Sequence, residues 1–388
     1  MEAEKRGNHA KKVSKKFNLY NIFVGLTLVL GAILIINIFL TINLNKEFEK
    51  SAEAAKEAIK PAKIELAVIK NSKCSDCFDI STIVGHIKNV KLNVTKETAY
   101  EFDSARGKEL ITKYKITKIP TLIATGEIGK VNVQGLVKNG DALLFTQPEP
   151  PFTNAATGKI EGRVTLYNLV DSACTQCKDL SSLIMQIKGA GIKISEQKNI
   201  TPSSDEGKNF INKYKIGFVP IIILSKDAAA YDVMQKAWLQ VGSKEPDGSY
   251  VLRLAAPPFV NLTTGKLMGV VDVIYLTDKS CADCYDVNLH KEILTNPQSF
   301  AVQLGKEETF DASDAKGKEL IAAYNITKVP TVILSNDISV YPSSQFLKQF
   351  YSIEKNGYYV FRILQSLGAY KDLTTNQVVK APQRTQVQ

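Results

Sequence analysis

Every cysteine of this 388-residue chain belongs to a Cys-x-x-Cys pair, and there are three such pairs. They read "KCSDC" at 73–77, "ACTQC" at 173–177 and "SCADC" at 280–284. Aligning the pairs brings other landmarks into step. A β-like stretch precedes each: "KIELAVIK" (63–70), "RVTLYNLV" (163–170) and "VVDVIYLT" (270–277). A helical pattern follows each. Then come "GKELITKYKITKIP" (107–120), "GKNFINKYKIGFVP" (207–220) and "GKELIAAYNITKVP" (317–330), with a glycine-to-proline spacing of 13 in all three. A strand pattern follows each proline, then a turn at Asn139-Gly140, Asp247-Gly248 or Asn356-Gly357. Asn-Gly and Asp-Gly between apolar runs predict type I′ hairpins, in which both central residues take positive φ. The phrases "PPFTNAATGK" (150–159) and "PPFVNLTTGK" (257–266) close the first two copies, and "DLTTNQ" (372–377) is their relic in the third.

One such pair arises by chance; three in register with a matched glycine, proline and turn mark a triplication. The shared phrases place the repeats at 62–160, 161–266 and 267–380, with a short tail at 381–388. Each is long enough to bury its own core.

The amino terminus stands apart. No charged residue occurs from Phe17 to Asn45, and residues 19–42 are mostly branched aliphatic. Roughly 20 apolar residues cross a bilayer core as a helix. A cleavable signal would have a shorter apolar region and small residues at the cut site, so 19–42 reads as an uncleaved signal anchor. Residues 43–61 are rich in helix formers and read as a helical stalk or linker. Lys5, Arg6, Lys11, Lys12, Lys15 and Lys16 precede the span, whereas Lys46 and Lys50 after it are diluted by Glu47 and Glu49. This asymmetry keeps 1–18 cytoplasmic, as a basic tail, and places the bulk of the chain outside, at the cell membrane. The net charge of +10 is partly that tail. No clustered basic patch with interleaved aromatics exists, so a nucleic-acid partner is not expected.

Strand, Cys-x-x-Cys, helix and a proline about 43 residues after the second cysteine together resemble the thioredoxin fold. The resemblance covers nearly all of 62–380. It implies an α/β chain of three tandem thioredoxin-like domains, each a central mixed sheet flanked by helices, of the kind found in protein disulfide isomerases. It also implies that the pairs open helices. A helix amino terminus carries unpaired N–H groups and about half a positive charge, which lowers the pKa of a thiol seated there. Cys74, Cys174 and Cys281 are then the exposed attacking cysteines, and Cys77, Cys177 and Cys284 resolve the mixed disulfide. Pro120, Pro220 and Pro330 correspond to the family's cis-prolines. Ile119, Val219 and Val329 before them would contact substrate backbone.

The chain departs from the family pattern in places. Lys73, Ala173 and Ser280 stand where a tryptophan is common. Val68, Asn168 and Tyr275 replace a buried aspartate. Asp76 and Asp283 put negative charge between the cysteines, which raises a thiol pKa; the middle pair has Gln176 instead. On that basis the middle pair is expected to be the most oxidising.

Other readings are weaker. A disulfide closing so short a loop removes little entropy from the unfolded chain, so inert staples explain the pattern poorly. Zinc sites use closer-spaced pairs, and of the histidines His9, His86 and His290, the last two are expected at the surface or half-buried. Phe78, Lys178 and Tyr285 follow the second cysteines, so the haem motif is absent. Tyr114, Tyr214 and Tyr324 recur as core positions. Asn93, Asn199, Asn261 and Asn325 fit a glycan acceptor motif. The expected function is therefore thiol–disulfide exchange on exported proteins, with redox-active disulfides, no other cofactor and no metal. A membrane or soluble electron-exchange partner would recycle it. The alternative is a non-catalytic binding or chaperone array with silent disulfides.

Overall fold

The computed structural model describes residues 19–90 and 92–380. The basic tail whose charge sets the expected orientation, with His9, and the last eight residues lie outside the described residues.

The first helix, α1 (Leu19–Ile59), runs unbroken for 41 residues, so the predicted span and the predicted stalk are one helix. Proline cannot supply the N–H that would continue it, and Pro61 stands just beyond its end. Within α1, Phe23–Glu53 contains a window long and apolar enough to cross a membrane. Its large apolar side chains from Phe23 to Phe48 are all exposed, so no protein core covers them.

The chain divides into two compact units, and the division runs through the first repeat. One unit takes the described residues up to Val68, with Ile80–Tyr100 and Leu122–Phe145. The other takes Ile69–Asp79, Glu101–Thr121 and the described residues from Thr146 onward. The first dicysteine turn and its proline strand therefore group with the second and third repeats.

Repeat one contains β1 (Ala62–Lys70), α2 (Ser81–Asn89), β2 (Leu92–Glu101), α3 (Ala105–Tyr114), β3 (Lys118–Ile119), β4 (Thr121–Gly126), β5 (Val137–Asn139), β6 (Ala142–Phe145), β7 (Phe152–Asn154) and β8 (Ile160–Glu161). Its main sheet has the order β2-β1-β4-β6-β5. The corresponding strands of the other repeats take the same order. In repeats two and three the outer strand pairs in parallel with the one that leads to the cysteines. The remaining pairs are antiparallel. The strand after each proline is buried on both faces; Ile221–Leu224 shows this throughout its length. That explains its unbroken apolar run, since a strand covered on both sides need not alternate.

Ser104 and Ser204 cap α3 and its counterpart by accepting from the N–H of Gly107 and Gly207, each at 3.0 Å. Those two helices and their equivalent in repeat three end on Lys115, Lys215 and Asn325 in the left-handed region. Tyr114 and Tyr214 are buried, as expected; Tyr324 is half-buried. The hairpins differ from expectation. Only the glycines Gly140, Gly248 and Gly357 take positive φ, while Asn139, Asp247 and Asn356 do not. In repeats two and three the loop is longer, with Gly248 N–H donating to Glu245 O and Gly357 N–H to Glu354 O. One left-handed residue then suffices.

The repeat junctions are built alike. Gly162 and Gly269 both sit at φ 89°. A Cβ at Gly162 would lie 2.4 Å from Pro150 Cβ, and one at Gly269 would lie 2.6 Å from Pro257 Cβ. Tyr231 Oη donates to Gly162 O at 2.7 Å and accepts from Lys193 N–H at 2.9 Å. Tyr341 repeats both bonds with Gly269 O (2.6 Å) and Gln303 N–H (2.9 Å).

Candidate active site: three dicysteine turns

Each pair is bridged, Cys74 to Cys77, Cys174 to Cys177 and Cys281 to Cys284, with Cα atoms 5.4 Å apart. The bridges lie in turns and do not open helices. The following helices begin only at Ser81, Ser181 and Val287. The leading cysteines stand seven, seven and six residues before those helices, outside their first turns.

The turn itself is organised by a residue three places before each first cysteine. Asn71 Oδ1 accepts from Lys73 N–H at 3.0 Å, Asp171 Oδ1 from Ala173 N–H at 3.0 Å, and Asp278 Oδ1 from Ser280 N–H at 2.8 Å. The same residues accept through their carbonyls from the N–H of Cys74, Cys174 and Cys281 at 3.0–3.1 Å. These side-chain turns fix the leading cysteine. The signal is visible as "NSKC", "DSAC" and "DKSC", and sequence reasoning passed over it. In repeat three the turn is also charged. Asp278 pairs with Lys371 at 2.8 Å, and both are largely buried. Burial raises the Asp278 pKa, but hydrogen bonds from Lys371 and Ser280 outweigh it and the net shift is downward.

A second fastening comes from the closing phrase of each repeat. Phe78 N–H donates to Pro151 O at 2.9 Å, and Lys178 N–H to Pro258 O at 2.7 Å. Tyr285 N–H donates to Ala369 O at 2.8 Å. The "PPF" phrase thus holds the turn, beyond marking a boundary.

Ile119-Pro120, Val219-Pro220 and Val329-Pro330 are cis, as the resemblance implies. The three prolines are buried. The preceding residues are not placed as expected. Ile119, Val219 and Val329 are wholly buried, each 0% exposed. Ile119 faces Thr153 of β7 in antiparallel register. Ala155 N–H donates to Thr117 O at 2.9 Å. Bonded and non-bonded pairs alternate along an antiparallel ladder, so Ile119, two residues on, turns its N–H and C=O to Thr153. Val219 meets Val260 and Val329 meets Lys371 in the same way, two residues from the Leu262–Gly217 and Leu373–Thr327 bonds. The edge expected to receive substrate backbone is filled by the chain's own strand.

Strand order, a dicysteine turn after the central strand and a cis proline before the next strand of the sheet recur in all three copies. The three repeats share a thioredoxin-like fold. Among solved structures, the chain resembles human ERp44 at 12% identity over 77% of this chain and 88% of that one, with a TM-score of 0.13. It resembles ERdj5 at 12% identity over 82% of this chain, with a TM-score of 0.14, and spans only 40% of that longer protein. The NTD_N/C domain of alkylhydroperoxide reductase AhpF from Enterococcus faecalis matches at 16% identity over 44% of this chain and 81% of its own, with a TM-score of 0.14. No protein-family model and no curated protein matches the sequence.

The three thioredoxin-like turns are not equivalent. Cys74 is 8% exposed, whereas Cys174 and Cys281 are half-buried. At the first turn Arg163 grips Asp76 with two hydrogen bonds, Nη2 to Oδ1 at 2.5 Å and Nε to Oδ2 at 3.1 Å. The guanidinium holds the Asp76 carboxyl below its usual range. Asp76 is therefore not the free negative charge that the ordering of the pairs assumed.

Proposed function

We propose that this chain is a membrane-anchored thiol–disulfide oxidoreductase or isomerase. It acts on thiols and disulfides of exported proteins, outside the cytoplasm. The observation that carries this reading is the triple recurrence of a bridged pair on a turn, each followed 43–46 residues later by a cis proline. A bridge closing a loop of four residues adds little to stability, so retaining three of them fits a chemical use. Electrons pass through the disulfides without another cofactor, and a membrane or soluble thiol partner recycles them.

In the reducing direction a client disulfide R–S–S–R′ is attacked by the leading thiolate. The new bond joins that cysteine to R, and R′ leaves as thiolate, taking a proton from solvent. The trailing thiolate then attacks the leading sulfur, closes the intramolecular bridge and releases R as thiolate. The pair is oxidised by two electrons and the client is reduced by two; oxidation of a client runs the same steps backward.

A second reading has specific support. The filled pre-proline edges and the covered Cys74 favour a binding array with silent disulfides. Trapping decides between them. Full-length chain carrying Cys77→Ser, Cys177→Ser or Cys284→Ser, expressed in its own membrane, is expected to accumulate mixed disulfides through Cys74, Cys174 or Cys281. The adducts should resolve on reduction. No adduct from any of the three variants would leave the array reading standing.

A further inference from the structure

Arg163 belongs to repeat two but reaches the dithiol of repeat one. Its Nη2 lies 3.7 Å from Cys74 Sγ and 2.5 Å from Asp76 Oδ1. Cys74 Sγ is itself 3.5 Å from that same oxygen. Sulfur, carboxylate and guanidinium therefore form one cluster.

The cluster is held from both sides. Arg163 follows Gly162, whose carbonyl is fixed by Tyr231 and whose Cα is packed on Pro150. Asp76 lies between the two cysteines, in a turn anchored by Asn71 and by Pro151. The arginine is thus launched from a fixed junction at a fixed target. Lys193 is the other cation that acts on Asp76, and Tyr231 is a neighbouring titratable group.

The other sites lack this arrangement. The residue after the junction glycine of repeat three is Val270, and the second turn has Gln176 where the first has Asp76. At the third turn the nearby cation, Lys371, bonds Ser280 Oγ and Asp278. The helix terminus that normally supports a thiolate starts late here, at Ser81. Among the described residues, site one is where a cation meets the leading sulfur, Arg163 Nη2 against Cys74 Sγ.

We propose that Arg163 is the positioning residue of the first dithiol: it stabilises the Cys74 thiolate from the neighbouring repeat and makes Cys74–Cys77 the most oxidising of the three pairs. The inference deepens the exchange reading and rests on it. Asp76 and Cys74 compete for one guanidinium. In the bridged state the carboxylate takes it. When the bridge accepts two electrons, the new thiolate shares it, and the reduced form gains. A reduced form so favoured gives a higher reduction potential. The junction between the repeats thereby sets the chemistry of the first site.

The test uses full-length protein in detergent, with the other four cysteines changed to serine so that one pair reports. The thiolate absorbance of Cys74 is titrated, and the pair is equilibrated with glutathione. Arg163→Gln is expected to raise the Cys74 pKa by about one unit and to favour the disulfide about tenfold, equal to about 30 mV. Arg163→Lys should restore part of both. Asp76→Asn, which frees the arginine, should move both values the opposite way and keeps the test open should Arg163→Gln not fold. In the background that retains only Cys174–Cys177, Arg163→Gln should leave that pair unchanged. A Cys74 titration unaltered by Arg163→Gln, or by Asp76→Asn, would reduce Arg163 to a clasp between repeats while leaving exchange intact. A first pair that glutathione and dithiothreitol cannot reduce would remove the exchange reading, and this inference with it.

Discussion

Gly317→Ala is expected to destabilise the third repeat by up to about 2 kcal/mol, although alanine is the better helix former. Gly107, Gly207 and Gly317 sit in the first turn of equivalent helices. A Cβ at Gly317 would lie 1.9 Å from Asp311 O, and at Gly107 or Gly207 it would lie 2.1 Å from Glu101 O or Thr201 O. The obstacle is backbone, which cannot rotate aside. Exchanging glycine for alanine inside an exposed helix gains about 1 kcal/mol. Overpacking against a fixed neighbour costs about 1–3 kcal/mol and sometimes more. The two effects have opposite signs, so the sign of the change decides. Hydrogen exchange of the amides of Thr331–Leu334 in the full-length chain measures it. Protection equal to or above wild type would show that the loop before the helix yields, and the crowding argument would fail.

The second large effect is acid sensitivity of the same repeat. His290, expected at the surface or half-buried, is 5% exposed. Phe361 and Tyr351 rings stand 4.8 and 5.8 Å from its ring. Its Nε2 meets Tyr351 Oη, and its Nδ1 has no partner among the described residues. Burial lowers its pKa from 6.5 to about 4. The folded form therefore keeps the ring neutral while the unfolded chain protonates it below pH 6.5. Stability is complete above that pH and falls between 6.5 and 4, by about 3 kcal/mol in all. Tyr285, pushed up to about 12 by its own burial, stays neutral throughout. Asp311 is held down to about 2 by hydrogen bonds from Ser313 and from Lys279 N–H, so it titrates in a more acid window. His290→Leu should flatten the slope between pH 6.5 and 4, even though it strands the Tyr351 hydroxyl at a constant cost. An identical slope in both proteins would show that another group governs the acid response.

The features legible in the sequence were those carried by local spacing. The glycine-to-proline interval, the strand patterns and the paired cysteines each depend on neighbours in the chain, and they gave the triplication and the domain type. What escaped depended on contacts between distant residues. Asp76 and Arg163 are 87 residues apart, and although Asp76 stands out between the cysteines, nothing local points to Arg163 as its partner. The late start of the helices was hidden because Asp79, Ile80 and Ser81 are compatible with a helix or a turn. His290 lies in a helix whose apolar stripe it continues, and an imidazole on such a stripe reads as surface or core with equal ease. The "PPF" phrase marks a boundary in the sequence, but its hold on the turn depends on Pro151 O meeting Phe78 N–H, far along the chain.

Because β7 and its counterparts already hydrogen-bond the residue before each cis proline, an extended peptide has no vacant ladder to join there. Ser75, Thr175 and Ala282, between the cysteines, are exposed. They mark the side from which another sulfur can approach. Under the proposed exchange function, choice among clients would fall to the contour and charge of each small loop, and three differently dressed tips would sort clients without reading their backbones.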